Sequence, residues 1–455
     1  MTPYGMSKMR IKVIITGLIL LTASTASFSQ NVNLEQIRTL ALANSRSLAR
    51  YNLAIRSSVL DEKSQLYTML PSVSAGYSAS MNYINKDWEF VNPIDTFNAG
   101  FDVSITQKIF EGGKSFIQKS LAAISTESVR KEALAEYFNV LDSADNAYYA
   151  VLEAAATLEA EELSLQTALS SLAIAEIRQS SGMINRGDFL KALADKEARE
   201  NSRDQARRSL SLSKMKLKAL TGVETSAGLE QVNFDAYEEL IRFLALISDE
   251  DADALYDRFW KLLLKSNISL ARAALNNQRA EKSLSMAKRD YFPTVSATLF
   301  SSGINYSVAS GFTSSAGGGL TIRGSVPLDF WVMNNKIEKS KIARDSTAMD
   351  YKNTESSLET ELQSALLNAF ACAGTIVHSR LSLEYAEKHF EFVNERYRLS
   401  QGSISDLNDA AALLINTRSS QIKSRYGFLQ ALSRLRSLAA IDDEQKLLKI
   451  LVGEE

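Results

Sequence analysis

Two aspartates near the end of the chain are the acidic residues best placed to act together. Asp406 and Asp409 are three positions apart, and on a helix residues at this spacing lie on one face. Clustered carboxylates attract cations, and their mutual repulsion raises some of their pKa values. Acidic residues in the first turn of a helix are also stabilised by the helix dipole without any further role. Both interpretations stay open at this point.

Cys372, His378 and His389 are the residue types that bind metals or act as nucleophiles. The two histidines are eleven positions apart, about 16 Å along a straight helix, so one ion does not bridge them. A single cysteine excludes a disulfide within the chain and a cysteine-cluster metal site. The glycines at 112–113 and 317–319 lack the strand–loop–helix context of a phosphate site. We therefore expect no catalytic residue, no cofactor, no metal and no enzymatic activity.

The composition points away from nucleic acid and towards long helices. The 455 residues carry 51 Lys and Arg against 53 Asp and Glu, and nucleic-acid binding normally requires a basic excess or stripe. Only five prolines and twenty glycines occur in the chain. Since these two residues interrupt helices, their scarcity predicts long uninterrupted ones.

Residues 1–29 have the pattern of a secretory signal peptide. Three basic residues at positions 8–12 precede nine mostly apolar residues at 13–21, and small residues follow. A membrane anchor is the alternative, but a bilayer core needs about 20 apolar residues. Cleavage before Gln30 lowers the formal charge from −2 to −5, because it removes three cations and no acid. The pattern predicts an exported, mildly acidic protein.

The sequence contains an internal duplication. Two segments recur at one offset of 222 positions, and later landmarks recur in the same order at offsets of 220 and 218: 47–50 with 269–272, 71–75 with 293–297, Gly182 with Gly402, and Asp188 with Asp406. A shared order of this kind indicates a repeat.

Each repeat is predicted to contain a helix, a β-hairpin, a long helix and a final helix. The helical stretches 34–70 and 253–292 end at Pro71 and Pro293, which stop helices. The long helices are expected at 114–181 and 336–400, and the final ones at 188–220 and 406–440. Glycine-containing turns separate them, at Gly182, Gly187 and Gly402. The predicted boundaries are 30–222 for the first repeat with its hairpin at 72–107, 223–252 for a connection, 253–441 for the second repeat with its hairpin at 294–328, and 442–455 for a tail of unknown order.

The segments after Pro71 and Pro293 alternate between apolar and polar residues. Period-two alternation is typical of a strand with one apolar and one wet face. Four strands do not close a barrel, and open edges are not viable in lipid, so several protomers would have to share one barrel. A soluble hairpin cap on a coiled coil is the alternative.

The first long helix contains a heptad-like seam. The seam steps by four and three along the helix, with one interruption, and its members are apolar except Asp145 and Glu162: 134, 138, 141, 145, 148, 152 and 155, and then 158, 162, 165, 169 and 172. This spacing predicts coiled-coil packing. A helix of roughly 68 residues is about 100 Å long, too long for one globular core, and must pack along partners.

The order of these features resembles the TolC family of outer-membrane factors. The resemblance is carried by the opening at 34–44, the Leu-Pro-Ser-Val junction at 70–73, the segment 107–114, the turn 182–188, the segment 217–222 and their second-half counterparts. It implies an α+β membrane protein: a homotrimer with a shared twelve-stranded outer-membrane barrel and a long helical coiled-coil tunnel across the periplasm. Family members are exit ducts for efflux pumps or type I secretion systems, and they work with a periplasmic adaptor and an inner-membrane transporter.

The resemblance also assigns positions to individual residues. Asp406 and Asp409 would ring the periplasmic pore entrance, with Asp188 joining a hydrogen-bonded lock at the same tip. Pro71 and Pro293 would mark where the helices meet the barrel. Three departures from the family pattern stand out: Lys108 in place of the common proline, an exit from the second hairpin through 329–335, and a second tip turn two residues shorter than expected, with no basic residue between Gly402 and Asp406.

Two hypotheses follow from the sequence. The first is a passive trimeric duct through the outer membrane, in contact with outer-membrane lipid. The second is an exported coiled-coil spacer or envelope tether without a pore. The cargo is not encoded in a recognisable pattern, since a duct need not recognise what its pump selects.

Overall fold

The computed structural model describes residues 32–81, 97–222, 228–307, 311–313 and 317–452. The expected signal peptide at 1–29 and its cleavage site lie outside these ranges. So do the connecting segments 82–96, 308–310 and 314–316 in the two hairpins.

The first half has two short helices, a hairpin and two long helices. In chain order these are α1 (Leu34–Asn44), α2 (Arg46–Tyr67), β1 (Ser72–Met81), β2 (Phe97–Phe110), α3 (Lys114–Ser180) and α4 (Arg186–Thr221). The single helix expected at 34–70 is wrong, because Ser45 adopts an extended backbone and its side chain caps α2 by accepting from the Leu48 amide. The chain therefore bends at Ser45 without a proline or a glycine.

The second half repeats this order after a short connection. A 3₁₀ turn (Phe234–Tyr237) leads into α5 (Glu238–Ala245), α6 (Asp249–Ser266), α7 (Ile268–Lys288), a 3₁₀ turn (Arg289–Tyr291), β3 (Thr294–Ser307), β4 (Gly311–Thr313), β5 (Gly317–Ser325), α8 (Phe330–Arg398), α9 (Ile404–Leu438) and α10 (Glu444–Val452). Asn267 separates α6 from α7 as Ser45 separates α1 from α2, by capping the Leu270 amide.

One predicted boundary in the second half needs correction, and the tail whose order the sequence left open contains a helix. Helix α8 begins at Phe330, six residues before the predicted start at 336, so most of the proposed exit segment 329–335 is helical. The tail at 442–455 contains the ordered helix α10, whose Leu447, Ile450 and Leu451 are buried in the main core.

The strands form one antiparallel sheet in which two hairpins are joined side by side. β1 pairs with β2, β2 pairs with β3, and β3 pairs with both β4 and β5. β4 and β5 pair with successive parts of β3, on the side opposite β2, and are counted together as the fourth strand of the sheet. The described partners leave β1 at one edge and this fourth strand, mainly β5, at the other. Large apolar side chains on one face are exposed within the single chain, among them Val73, Tyr77, Leu299, Leu320 and Ile322.

The predicted seam of α3 is correct in its first part and wrong in its second. Phe138, Leu141, Asp145, Tyr148 and Leu152 are buried as expected, whereas Leu134 is 40% exposed and Ala155 is exposed. From residue 158 onwards no seam position is fully buried: Leu158, Leu165 and Leu172 are half-buried, and Glu162 and Leu169 are exposed. Small residues replace them on the buried side, since helix axes approach most closely over small side chains: Ala160, Ala168, Ser171 and Ala175.

A buried ionic cluster around Asp145 ties the two halves together. Asp145 is 0% exposed, and its carboxylate accepts hydrogen bonds from two arginines. Arg38 of α1 donates at 2.7 and 3.0 Å, and Arg436 of α9 donates at 2.6 Å. The Ser433 hydroxyl donates to the same carboxylate at 2.8 Å. Burial alone would lower the pKa of Arg38, but the hydrogen bond and charge of Asp145 raise it above its usual value. The cluster therefore places two guanidinium groups around one buried carboxylate, and Arg38 pairs in addition with Glu35 at 3.3 Å and Glu444 at 3.6 Å.

Among the described residues, no helix combines the length and the apolar content needed to cross a bilayer.

Replacing Asp145 tests this cluster. In Asp145→Ala, Arg38 and Arg436 lose their shared counter-charge in a buried site, and the expected loss of stability is about 3–5 kcal/mol. Glu162→Ala, on the exposed side of the same helix, should change stability by less than about 0.5 kcal/mol. Guanidinium unfolding followed by circular dichroism compares the two. Equal midpoints for both variants would show that the cluster contributes nothing particular.

Candidate functional site

The candidate site lies where the long helices turn back on themselves. Helix α3 ends at Ser180 and α4 begins at Arg186, while α8 ends at Arg398 and α9 begins at Ile404. Both turns consist of five residues and close in the same way. Each passes through one residue with positive φ, and the residue after it donates its amide back to the last turn of the long helix, Met183 to the Arg178 carbonyl and Gln401 to the Arg396 carbonyl, both at 2.8 Å.

The structural counterpart of Gly182 is Ser400, which corrects the predicted pairing with Gly402. Gly182 has φ 71° and Ser400 has φ 63°, the left-handed conformation that usually selects glycine. Gly402 has no positive φ. The offset is therefore 218 positions, the same as that between Asp188 and Asp406. The second turn is not two residues shorter; the glycine landmark alone suggested that it was.

Gly187 was expected in the turn but lies in the first turn of α4. The preceding Asn185 caps this helix and accepts from the Asp188 amide at 2.9 Å. A Cβ at position 187 would come within 3.0 Å of the Asn185 side-chain oxygen. Gly187 therefore leaves room for the cap.

Asp188 and Asp406 occupy equivalent positions, three residues after their helix caps. The Asp188 carboxylate accepts from the Asn185 side-chain amide at 3.0 Å. The Asp406 carboxylate accepts from the Ser403 amide at 3.4 Å, and the Ser403 hydroxyl accepts from the Asp406 amide at 3.1 Å. This reciprocal pair is a capping box. The capping interpretation of Asp406 thus has direct geometric support, and it coexists with an exposed side chain.

Asp409 differs from Asp406 because its carboxylate takes no part in a helix cap. It lies one helical turn further along α9, on the same face, and its side chain is exposed. Within the part of the chain that the structure describes, it has no hydrogen-bond or ion-pair partner. Its charge is therefore the more available of the two.

Arg178 fastens the tip of the first repeat to the tip of the second. It is 6% exposed, donates a hydrogen bond to the backbone carbonyl of Tyr397, and lies 4.4 Å from the centre of the Tyr397 ring. That carbonyl is in the last turn of α8, where the helix dipole favours a cation. The residues described here offer Arg178 no carboxylate partner within ion-pair distance. Its charge is thus balanced by a carbonyl and an aromatic face.

Tyr397 is buried by this contact. Its hydroxyl lies 3.5 Å from the Ser171 carbonyl of α3. Burial raises the pKa of Tyr397, the nearby Asp188 carboxylate adds to the increase, and the Arg178 charge opposes it. The tyrosine is therefore neutral at physiological pH. Sequence reasoning missed both residues, because Arg178 and Tyr397 are 219 positions apart and match no spacing rule.

The segment 402–406 has no basic residue that could connect the second turn to the first. Residues of the first repeat contact the second turn instead. The Lys191 amine of α4 donates to the Ser405 hydroxyl of α9 at 3.2 Å. An apolar cluster lies beneath the turns and packs all four helices together. Its buried members are Ala175, Ala192, Val393, Tyr397, Ile404, Leu407 and Ala410.

The remaining sequence candidates do not come together. Among the described residues no cluster of His, Cys, Asp and Glu suits a metal ion. His389 stacks on Tyr385 with ring centres 5.5 Å apart. Burial raises the pKa of the Cys372 thiol. At the other end of the helices, Pro71 and Pro293 directly precede β1 and β3.

Removing the Arg178 charge should loosen the tips. Arg178→Met keeps much of the apolar volume but loses a hydrogen bond of a charged donor, about 2 kcal/mol. Amide exchange in the turns 181–185 and 399–403 is then expected to accelerate roughly thirty-fold. Arg398→Met, whose exposed side chain pairs with Glu395 one turn back on α8, is the matched control. Unchanged exchange in Arg178→Met would mean that the apolar cluster alone holds the tips.

The fold is shared with solved bacterial membrane proteins of low sequence identity. A membrane protein from Pseudomonas aeruginosa aligns with TM-score 0.75 at 16% identity, covering 89% of this chain and 90% of that one. The outer membrane protein VceC from Vibrio cholerae aligns with TM-score 0.73 at 16% identity, over 89% and 95%. The CmeC outer membrane channel from Campylobacter jejuni aligns with TM-score 0.74 at 14% identity, over 92% and 89%. The predicted fold class is confirmed by these alignments.

The sequence comparison identifies the family. No curated protein matches this sequence. The family described as outer membrane efflux protein matches residues 37–223 and 260–440, one segment in each half of the chain. Because these segments cover most of the chain, the protein belongs to the outer membrane efflux protein family.

Proposed function

We propose that three copies of this chain share one twelve-stranded barrel in the outer membrane, with their long helices forming a tunnel into the periplasm. The single observation that carries the proposal is the four-stranded sheet with its outer strands β1 and β5 at open edges. In lipid such edges must be paired, and three sheets of four strands pair all of them in a closed ring. The apolar side chains exposed on one face of the sheet would then meet lipid.

The helices support the same assembly. The 67 residues of α3 and the 69 of α8 each extend about 100 Å. On α2, three large side chains at seven-residue intervals are each more than 60% exposed in the single chain: Leu53, Leu60 and Tyr67. A stripe of this kind is typical of a helix that packs on a neighbour. We assign it to the contact between copies.

The assembly would act as the passive exit duct of a tripartite efflux pump. An inner-membrane transporter would supply the energy, and a periplasmic adaptor would connect it to the helix tips. A type I secretion system is the other use of the same duct. In either role the chain contributes a path for the cargo.

At the tips, Asp406 and Asp409 would come from three copies and give six carboxylates around the entrance. Asp409 would contribute most to cation binding because the Asp406 carboxylate is shared with its cap. Asp188 would steady the neighbouring turn through Asn185. This role for the aspartates rests on the proposed three-fold assembly.

Conductance separates the duct from the alternative of a coiled-coil tether. Purified protein in a planar lipid bilayer should conduct ions, and it should fractionate with outer membranes and run as a heat-sensitive trimer on a gel. A tether would show no conductance. A monomer in the periplasmic fraction would contradict the duct.

Two adjacent substitutions on β5 test which face of the sheet meets lipid. Leu320→Arg places a charge on the apolar face, at a cost of about 2–4 kcal/mol per copy at mid-membrane depth. Thr321→Arg places the same charge on the opposite face and should be tolerated. The amount of trimer recovered from outer membranes should fall sharply only for Leu320→Arg. Equal recovery of the two variants would remove the basis for a lipid-facing surface.

The entrance is tested by removing its charges without removing its hydrogen-bonding groups. With Asp406→Asn and Asp409→Asn together, half-block by hexamminecobalt(III) from the tip side should need roughly ten times more cation. Glu391→Gln, an exposed charge on α8, is the control. If block is as strong in the double variant as in the wild type, the cation site lies elsewhere.

A further inference from the structure

A row of basic side chains crosses the polar face of the sheet beside the helices. Lys108 on β2 pairs with Ser296 on β3, and Ser296 pairs with Arg323 on β5. Cross-strand partners project to the same face. One row further along, the hydroxyls of Thr106 and Thr298 meet at 3.1 Å, which identifies this face as the polar one. Lys108 and Arg323 are two strand spacings apart, about 10 Å.

Both cations are accessible. The Lys108 side chain is 61% exposed, and its amine lies 2.5 Å from the carboxylate of Glu111, whose side chain is only 15% exposed and also accepts from the Ser115 hydroxyl. Glu111 thus offsets part of the Lys108 charge, while the lysine side chain stays accessible. Arg323 is exposed, and no acid among the described residues pairs with it.

Other acids nearby do not cancel this row. Asp290 already forms ion pairs with both Lys114 and Lys336, each at 2.6 Å. Asp102 lies on the same polar face, six residues from Lys108 along β2. That separation is about 20 Å, twice the Debye length at 0.1 M salt, about 10 Å. With Glu111 included, the row still carries one net positive charge per copy, and Lys114 and Lys336 outnumber Asp290 beside it, so the local field at the helix end of the sheet is positive.

We propose that Lys108 and Arg323 from three copies form a six-cation ring inside the barrel, which binds anionic groups of solutes as they leave the helical tunnel. The ligands would be multivalent oxyanions or solutes that carry phosphate, sulfate or carboxylate groups. The inference rests on the proposed function, because it requires the polar faces to line the lumen.

The dimensions of the barrel make such a ring effective. Twelve strands spaced by about 4.8 Å and tilted by about 40° enclose a lumen roughly 24 Å across. Its axis is about 12 Å from the strands, close to one Debye length at 0.1 M salt. Coulomb's law with this screening gives the contribution of the six cations to the anion concentration at the axis, before the three Glu111 carboxylates offset part of it: about threefold at 0.1 M and about tenfold at 10 mM.

The test is ion selectivity in a neutral planar bilayer. Lys108→Gln combined with Arg323→Gln should lower the ratio of anion to cation permeability by at least about threefold at 0.1 M and about tenfold at 10 mM salt. Reversal potentials in a potassium chloride gradient give this ratio. Pyrophosphate added on the strand side should inhibit the wild-type current at lower concentration than the double-variant current.

A matched pair of charges on α8 controls for general electrostatics. Arg380→Gln combined with Lys388→Gln removes two side chains that are 77% and 75% exposed and should leave selectivity unchanged. A conducting Lys108/Arg323 double variant with wild-type selectivity overturns the ring, as does an equal shift in the control pair. A wild type that does not conduct contradicts the duct itself, and the ring with it.

Discussion

The hydrogen-bonding requirement of the sheet edges is the constraint on which the rest of the account depends. One chain supplies four antiparallel strands joined through β2 and β3, and ends on β1 at one side and β5 at the other. Each open edge carries unpaired amide and carbonyl groups, which are several kcal/mol too costly to leave in hydrocarbon. A sheet that is apolar on one exposed face and open at both edges is stable in a membrane only as part of a closed ring. Assembly is therefore a condition of insertion.

Away from the membrane, contacts between the two repeats hold the helices together. Two chain segments of nearly 70 residues share their core with shorter helices in the middle of the molecule, where Asp145 joins α1, α3 and α9. At the end of the long helices away from the sheet, Arg178 and Tyr397 hold the two helical turns of one chain together. Each repeat thus has its own turn, but the turns are not independent. A change at one tip would affect the other through Arg178, through the Lys191–Ser405 hydrogen bond and through the shared apolar cluster.

Local patterns in the sequence predicted the helices and strands, but they did not predict the contacts between residues far apart in the chain. The alternation after Pro71 and Pro293 predicted both hairpins, because a strand with two different faces repeats every two residues. The pairing of β2 with β3 joins residues nearly 200 positions apart, and no local pattern encodes it. Ser400 was missed because glycine served as the marker for a left-handed turn. The Asp145 cluster was missed because its members come from three separate helices.

The most direct measurement is an electron cryomicroscopy reconstruction of the detergent-solubilised protein. We expect three copies around a threefold axis, with β5 of each copy hydrogen-bonded to β1 of the next in a ring of twelve strands. We also expect Lys108 and Arg323 to face the lumen. Single copies, or an assembly in which the β1 and β5 edges remain unpaired, would contradict the central claim.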